Sequence, residues 1–127
     1  MKIKLSIVTT GRNDDYIKNF ISRLEYVVNY TLEKCNSLGQ LKSTEFIIVD
    51  WGSKKKLSDN FNCTQKKFLS NVKFLEISRK DTLKLSKEIE GSFFTEKAIN
   101  LGISKASGEY VLYITADTIF SKNGLNN

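Results

Sequence analysis

Glu45-Phe46-Ile47-Ile48-Val49-Asp50-Trp51-Gly52-Ser53 is the stretch that decides the fold. Residues 45–49 form an almost continuous apolar run of strand length, which then breaks into polar and small residues. Such a run is typical of a central strand that is covered on both faces, as in parallel sheets. We therefore predict a buried strand that ends near Asp50.

Helix-like and strand-like segments alternate on both sides of this strand. Strand patterns occupy 2–9, 72–77 and 110–114, and helical spacing of apolar residues occupies 16–35 and 95–106, with a weaker helical pattern over 57–69. Strands that alternate with helices pair in parallel through right-handed crossovers. The sequence therefore predicts one α/β domain over 1–127, with a mostly parallel sheet of about four strands and flanking helices in three layers.

The ends of the two predicted helices carry recognisable signals. Asn13 or Asp14 is placed to cap the first turn of the helix over 16–35. Gly108 follows the helix over 95–106, at a position where a left-handed residue often ends a helix.

Composition excludes several classes of function. The chain has 127 residues and no histidine, which removes Ser-His-Asp catalysis, Cys-His catalysis and histidine-ligated zinc. Its apolar runs are far shorter than the roughly 20 residues of a membrane span. Residues 1–5 run directly into the first strand pattern and do not look like a signal peptide. We expect a cytoplasmic protein in which Cys35 and Cys63 are reduced.

The net charge of +6 comes almost entirely from lysine. A basic balance attracts nucleic acid, anionic lipid or phosphorylated ligands. The lysines are scattered, however, and the only tight cluster is Lys54-Lys55-Lys56. We interpret the charge mainly as a solvated surface and do not expect nucleic acid as a partner.

Polar or small residues follow three of the four predicted strands. The three clusters are Thr9-Thr10-Gly11-Arg12-Asn13, Asp50-Trp51-Gly52-Ser53 and Thr115-Ala116-Asp117-Thr118. Ligands of open α/β sheets bind outside the carboxyl ends of the strands, where strand order reverses. If the strands are parallel, the three clusters share one edge of the sheet, which makes that edge the predicted binding site.

Asp117 is the residue at this edge with the clearest candidate chemistry. The chain has neither a GxGxxG turn nor a GxxxxGK[ST] loop after a strand, so a nucleotide would need another way to neutralise its phosphates. A carboxylate that holds a divalent cation between phosphate oxygens is one such way. The alternative is that Asp117 caps the segment 118–123, and position alone favours neither.

Three segments resemble the first part of family 2 glycosyltransferases, which have the Rossmann-like GT-A fold. Ser6–Asn13 looks like the first-strand motif, and Glu45–Ser53 is similar to the second-strand motif, where family members usually read Val-Asp-Asp-Gly-Ser. Lys97–Ile103 and Ala106–Val111 resemble the helix and strand that lead to the metal-binding Asp. The resemblance implies a nucleoside diphosphate sugar as donor, such as a UDP-sugar, bound with Mn²⁺ or Mg²⁺.

The resemblance also assigns residues to the donor site. The substrate-binding residues it implies are Thr10, Arg12, Asn13, Asp50, Trp51, Asn100 and Asp117, with Asp117 also the metal ligand. Arg12 stands where many members have an aromatic residue, and Trp51 replaces the second Asp of the second motif. Thr115 stands where the first Asp of the D-x-D pattern usually lies, so one carboxylate of that pair is missing. Trp51 can alternatively be a packed aromatic residue, and Arg12 a surface residue paired with a nearby acid.

The resemblance implies transfer of a sugar, with inversion, to a glycan or lipid-linked acceptor, which would allow a location at the cytoplasmic face of a membrane. The family's general base lies after the metal-binding Asp, whereas the sequence continues for only ten residues beyond Asp117. We therefore expect a domain truncated after that Asp, with no catalytic base of its own and with a second chain or a missing C-terminal part to complete it. The alternative is a non-catalytic binding or assembly module.

Overall fold

The computed structural model describes residues 2–11, 20–53, 55–78, 80–81 and 95–115. These residues form four strands, two α-helices and three short 3₁₀ helices. The strands are β1 (Leu5–Gly11), β2 (Thr44–Trp51), β3 (Val72–Ile77) and β4 (Tyr110–Tyr113), and the α-helices are α1 (Phe20–Ser37) and α2 (Thr95–Lys105). The 3₁₀ helices are Leu41–Ser43, Leu57–Asn60 and Lys66–Asn71.

All four strands run parallel, in the order β3-β2-β1-β4. The strand predicted from the apolar run is the central β2, all of whose residues are buried between its neighbours β1 and β3. Pairing is continuous: Val8 of β1 lies beside Ile47 of β2 and beside Tyr113 of β4. The predicted α/β class and parallel sheet are thus confirmed.

Helices flank both faces of the sheet. Side chains of a strand alternate between faces, so neighbouring residues of β1 and β2 enter different clusters. The cluster on the α1 side contains Ile7, Phe46 and Ile48 with Leu24, Val28 and Leu32 of α1, among others. The cluster on the α2 side contains Val8, Ile47, Val49 and Trp51 with Ala98 of α2. Each helix therefore buries its apolar stripe against one face.

Two predicted local features differ in the structure. Helical spacing over 57–69 becomes two 3₁₀ helices joined by an irregular segment, because only Leu57, Phe61 and Phe68 of this stretch are buried apolar residues. Gly108 is not left-handed as predicted, since the only described glycines with positive φ are Gly39 and Gly52. Gly108 instead lies against β1, where an added Cβ would stand 2.8 Å from the Ser6 nitrogen.

Both cysteines are free thiols, as predicted. Cys35 is buried on α1, and burial raises its pKa. Cys63 is half-buried between the second and third 3₁₀ helices, and burial together with the nearby carboxylate of Glu25 raises its pKa. No helix within the described residues has the length and apolar character required to cross a bilayer.

Candidate functional site

The carboxyl ends of the four parallel strands form one edge of the sheet, which we call the carboxyl edge. The chain passes outward from β1 to β2 and β3, and then returns to place β4 on the other side of β1. Strand order therefore reverses between β1 and β4. In open α/β sheets this reversal opens a crevice in which ligands bind. The residues that end β1 and follow β4 are therefore the best-placed ligand contacts in the described fold.

Thr10 lies at this reversal point, and Thr115 follows β4 two residues after its end. Thr10 is half-buried on β1, beside Val49 of β2, and Thr115 is exposed. Because β1 alternates its side chains, Thr10 shares the α2-side face with Val8. The structure thus brings the predicted site residue Thr10 to the edge where the sequence placed it.

Asp50 is buried at the end of β2, and its carboxylate organises the loop that follows. One carboxylate oxygen accepts hydrogen bonds from the backbone N–H of Ser53 at 3.3 Å and from the Ser53 hydroxyl, and the other accepts the N–H of Leu57 at 2.9 Å. The side chain is only 2% exposed and lies on the face toward α1, opposite to Thr10. Asp50 therefore contributes to the carboxyl edge by holding Ser53 and Leu57 in place, and its own side chain stays buried.

Gly52 fixes the same loop against the neighbouring strand. Its φ of 69° lies in the left-handed region that favours glycine. The turn directs the Gly52 N–H to the Ile77 carbonyl at the end of β3, at 2.9 Å. Together with Asp50, this glycine fixes residues 52–53 at the carboxyl edge.

The indole of Trp51 is part of the core. The residue is 2% exposed and packs with Val8, Val49 and Ala98 in the cluster between the sheet and α2. This burial leaves almost no ring surface for stacking on a ligand. The position matches the alternative interpretation of Trp51 as a packed aromatic residue.

Asn100 lies on the exposed side of α2. Ala98 and Gly102 of the same helix are buried toward the sheet, and Asn100 falls on the opposite side of the helical turn. The structure therefore does not bring Asn100 together with Thr10 at the carboxyl edge.

The remaining predicted site residues, Arg12, Asn13 and Asp117, lie outside the described residues, as do the predicted cap Asp14 and Lys54. Their convergence with Asp50 stays a prediction. Within 2–11, 20–53, 55–78, 80–81 and 95–115, no group of three acidic, cysteine or histidine residues is arranged to hold a metal ion. The predicted ligand of Mn²⁺ or Mg²⁺, Asp117, lies outside these residues, so the metal site also stays a prediction.

A polar cluster that was not predicted from the sequence lies at the opposite, amino edge of the sheet. Glu45 is the second residue of β2 and is 2% exposed. Its carboxylate accepts hydrogen bonds from the Ser6 hydroxyl at 2.5 Å, the Lys73 ammonium at 2.7 Å, and the N–H and hydroxyl of Ser107 at 2.8 and 2.9 Å. The Ser6 hydroxyl in turn accepts the N–H of Gly108 at 2.8 Å.

This cluster determines the charge state of Glu45. Burial acts to raise the pKa of the carboxyl group, but the hydrogen bonds from Lys73, Ser6 and Ser107 outweigh it and lower the pKa to about 2. The sequence signal was available, because a charged residue directly precedes the apolar residues 46–49 of β2. What it lacked was the register that places Ser6 directly beside Glu45.

Comparison with known proteins adds no assignment, since the chain matches neither a protein-family model nor a curated protein sequence.

Proposed function

We propose that this chain is a family 2-like glycosyltransferase domain of GT-A type, which binds a nucleoside diphosphate sugar at the carboxyl edge. The observation that carries the proposal is the reversal of strand order between β1 and β4, next to Thr10. The sequence segments that resemble the family contain most of β1, most of β2, and the part of α2 that leads into β4. The product would be a glycan or lipid-linked acceptor extended by one sugar, with inversion.

The donor site is proposed to draw on both strands at the reversal. Thr10, Arg12 and Asn13 come from the end of β1 and the segment after it, and would contact the nucleoside and its phosphates. Asp117 lies four residues after the end of β4 and would hold Mn²⁺ or Mg²⁺ together with diphosphate oxygens, since a divalent cation of this kind keeps several non-protein ligands. The metal would neutralise charge on the leaving diphosphate.

The positions of three further residues change the roles that we propose for them in donor binding. Asp50 would act on the donor mainly through the loop that it holds, although a carboxylate can accept more bonds than the three it makes here. Trp51 would support the edge by packing under it. Asn100 would contact a donor only if the ligand extends over the exposed side of α2.

A thermal-shift series tests the donor site. We expect UDP or GDP with Mn²⁺ to raise the melting temperature by several degrees, because a ligand that binds only the native state stabilises it. Asp117→Asn should abolish this rise. Asp59→Asn is the matched control, since Asp59 is an exposed acid in the 3₁₀ helix after β2, and it should keep the rise. Folded protein that gains no stability from any nucleoside diphosphate with metal would refute the proposal.

One observation favours a second candidate, a non-catalytic assembly domain. Strand β4, which lies at an edge of the sheet formed by the described residues, exposes three consecutive large apolar residues, Tyr110, Val111 and Leu112, at 65%, 41% and 37%. An unpaired apolar edge strand is a template for pairing with another chain. Under this hypothesis, a second copy of the chain pairs with β4.

Sedimentation velocity tests this alternative with two matched variants. We expect concentration-dependent dimers for the unchanged protein and for Leu69→Glu, which alters an exposed leucine on the third 3₁₀ helix. Leu112→Glu should give monomers, because a charge on the edge blocks strand pairing. A protein that stays monomeric at every concentration would exclude the assembly reading.

A further inference from the structure

A groove of about 450 Å³ opens at the amino edge of the sheet, on the side of the molecule opposite to the proposed donor site. The first and third 3₁₀ helices, Leu41–Ser43 and Lys66–Asn71, provide its two walls, and the starts of β2 and β3 lie between them. Since β2 has eight residues, roughly 23 Å separates the groove from the carboxyl edge.

The groove carries an excess of positive charge. Lys42, Lys67 and Lys73 line it, and Glu45 is the only acid among the described residues of its lining. Glu45 pairs with Lys73 at 2.7 Å, whereas no described carboxylate forms an ion pair with Lys42 or Lys67. Two exposed lysines, Lys42 and Lys67, therefore line the groove without an ion-pair partner among the described residues.

The walls of the groove are held in place by the fold. The Asn71 side-chain amide donates to the carbonyls of Leu41 and Thr44, at 2.8 and 2.9 Å, and so fixes the third 3₁₀ helix against the first. The Lys67 ammonium is oriented by a 3.2 Å hydrogen bond to the Asn36 side chain, which satisfies one of its three N–H groups. The two Asn71 contacts thus preorganise the walls of the groove, which reduces the entropy lost on binding.

We infer that this groove is a second ligand site that binds a small phosphorylated molecule, with the phosphate on Lys42 and Lys67 and the organic part on Ile3 and Leu41. Lysine ammonium groups are compact charges that suit phosphate. The half-buried Ile3 and Leu41 supply apolar surface in the same groove, and its volume is that of a small-molecule site. The inference does not depend on the glycosyltransferase proposal, because the two sites occupy opposite edges.

An NMR titration with glucose 6-phosphate tests this inference, with glucose as the unphosphorylated control. We expect saturable shifts of the backbone amides of 41–43 and 66–71 with the phosphate ester, and none with glucose. Lys42→Glu with Lys67→Glu should weaken binding by at least about tenfold, since both ammonium contacts are reversed in sign. Both lysines are exposed, and a dispersed amide spectrum will confirm that the double variant is folded.

The matched control is Lys4→Glu with Lys105→Glu. Lys4 directly precedes β1 and Lys105 ends α2; both are exposed, neither lines the groove, and the change in net charge is the same. We expect less than about a twofold change in affinity. Equal loss in both double variants would show diffuse attraction to a basic edge and overturn the inference, as would shifts confined to Thr10 and Gly52 at the carboxyl edge.

Two further binding measurements distinguish a small phosphorylated ligand from a membrane surface and from nucleic acid. Anionic phospholipid vesicles and a single-stranded oligonucleotide should bind no more tightly than glucose 6-phosphate does. Tighter binding of either that survives the Lys42 and Lys67 changes would assign the basic edge to a membrane or nucleic acid and reject the small-molecule site. Asp117→Asn should leave the groove titration unchanged, so that loss of the donor site and loss of this site are told apart.

Discussion

At the scale of single residues, the Glu45 carboxylate accepts four hydrogen bonds from three separate parts of the chain. Its hydrogen-bond donors come from β1, from β3 and from the segment that precedes β4, so one side chain joins the amino ends of all four strands. A buried carboxylate is stable in such a place only when its lone pairs are satisfied. Removing its charge would leave Lys73, Ser6 and Ser107 with a weaker acceptor.

We expect Glu45→Gln to lower the free energy of unfolding by about 2 kcal/mol near neutral pH. This figure allows for solvent screening of Lys73, whose side chain is 55% exposed. The pKa of Glu45 is lowered from 4.5 to about 2, so its stabilisation is present above about pH 4.5 and disappears as the pH falls toward 2. Urea unfolding over this pH range should show a steeper acid loss for the unchanged protein than for the variant.

Glu109→Gln provides the control for this measurement. Glu109 also pairs with a lysine, Lys2, at 2.8 Å, but the two side chains are 46% and 80% exposed. Its replacement should cost less than about 1 kcal/mol. If Glu45→Gln retains the acid slope of the unchanged protein, Glu45 is not the group responsible for it.

Residue positions at the carboxyl edge were predictable from sequence, but the direction of each side chain was only partly so. Asp50 and Trp51 were both assigned to a ligand, yet successive residues of a strand face opposite sides of the sheet. Asp50 therefore turns toward α1 and holds a loop, and Trp51 turns toward α2 and packs in the core. Neither the Leu57 N–H nor the cover provided by α2 is visible in the local sequence.

At the scale of elements, α2 approaches the sheet closely because it carries a glycine where it crosses β1 and β2. A Cβ added to Gly102 would lie 2.4 Å from the Val8 Cγ1 atom and 3.0 Å from the Val49 Cγ2 atom. Both valines are fully buried, so neither has free space into which it can move. The absence of a side chain sets the distance between this helix and the sheet.

We expect Gly102→Ala to destabilise the protein by about 1–3 kcal/mol, even though alanine favours a helix by about 1 kcal/mol over glycine. Overpacking against Val8 and Val49 outweighs the helix propensity. Asn100→Ala on the exposed side of the same helix should change stability by no more than about 0.5 kcal/mol. Thermal unfolding of the two variants checks this, and a stabilised Gly102→Ala would mean that α2 is not in close contact with the sheet.

Elements with a strong apolar period were predictable, whereas those held by few contacts were not. The third strand was expected at 72–77 and is observed at Val72–Ile77, and α2 ends one residue before its predicted end. The pattern over 57–69 failed because interior N–H groups bond to α1 and not to carbonyls of their own segment: Glu25 accepts the N–H of Asn62 at 2.7 Å, and Asn29 accepts the N–H of Thr64 at 2.8 Å. Both contacts span distant parts of the sequence, so local spacing does not contain them.

At the scale of the whole molecule, the two apolar clusters share β1 and β2. Ile47 and Ile48 are adjacent and fully buried, but Ile47 belongs to the cluster facing α2 and Ile48 to the cluster facing α1. A loss on either face therefore weakens the same pair of central strands. This arrangement favours one cooperative unfolding unit.

We expect Ile47→Val and Ile48→Val each to lower the free energy of unfolding by about 0.5–1.5 kcal/mol. Both should shift the midpoint of a single urea transition and leave its slope unchanged. Tryptophan fluorescence reports the α2 side, where Trp51 lies, whereas far-ultraviolet circular dichroism reports the secondary structure of the whole chain. If the two faces unfold together, both probes should give the same transition. Two separate transitions, with one variant affecting each, would show that the faces unfold independently.

The unequal burial of the two thiols makes them differ in access to reagents. Cys35 is a buried residue of α1, whereas Cys63 is half-buried. Cys63 follows Asn62, whose carbonyl accepts a hydrogen bond from Asn29 of α1. Since the thiolate is the reactive form and both pKa values are raised, a mildly alkaline maleimide reaction will favour Cys63 while the fold is intact. The unchanged protein thus offers a natural attachment point for a fluorophore between α1 and the segment that leads to β3.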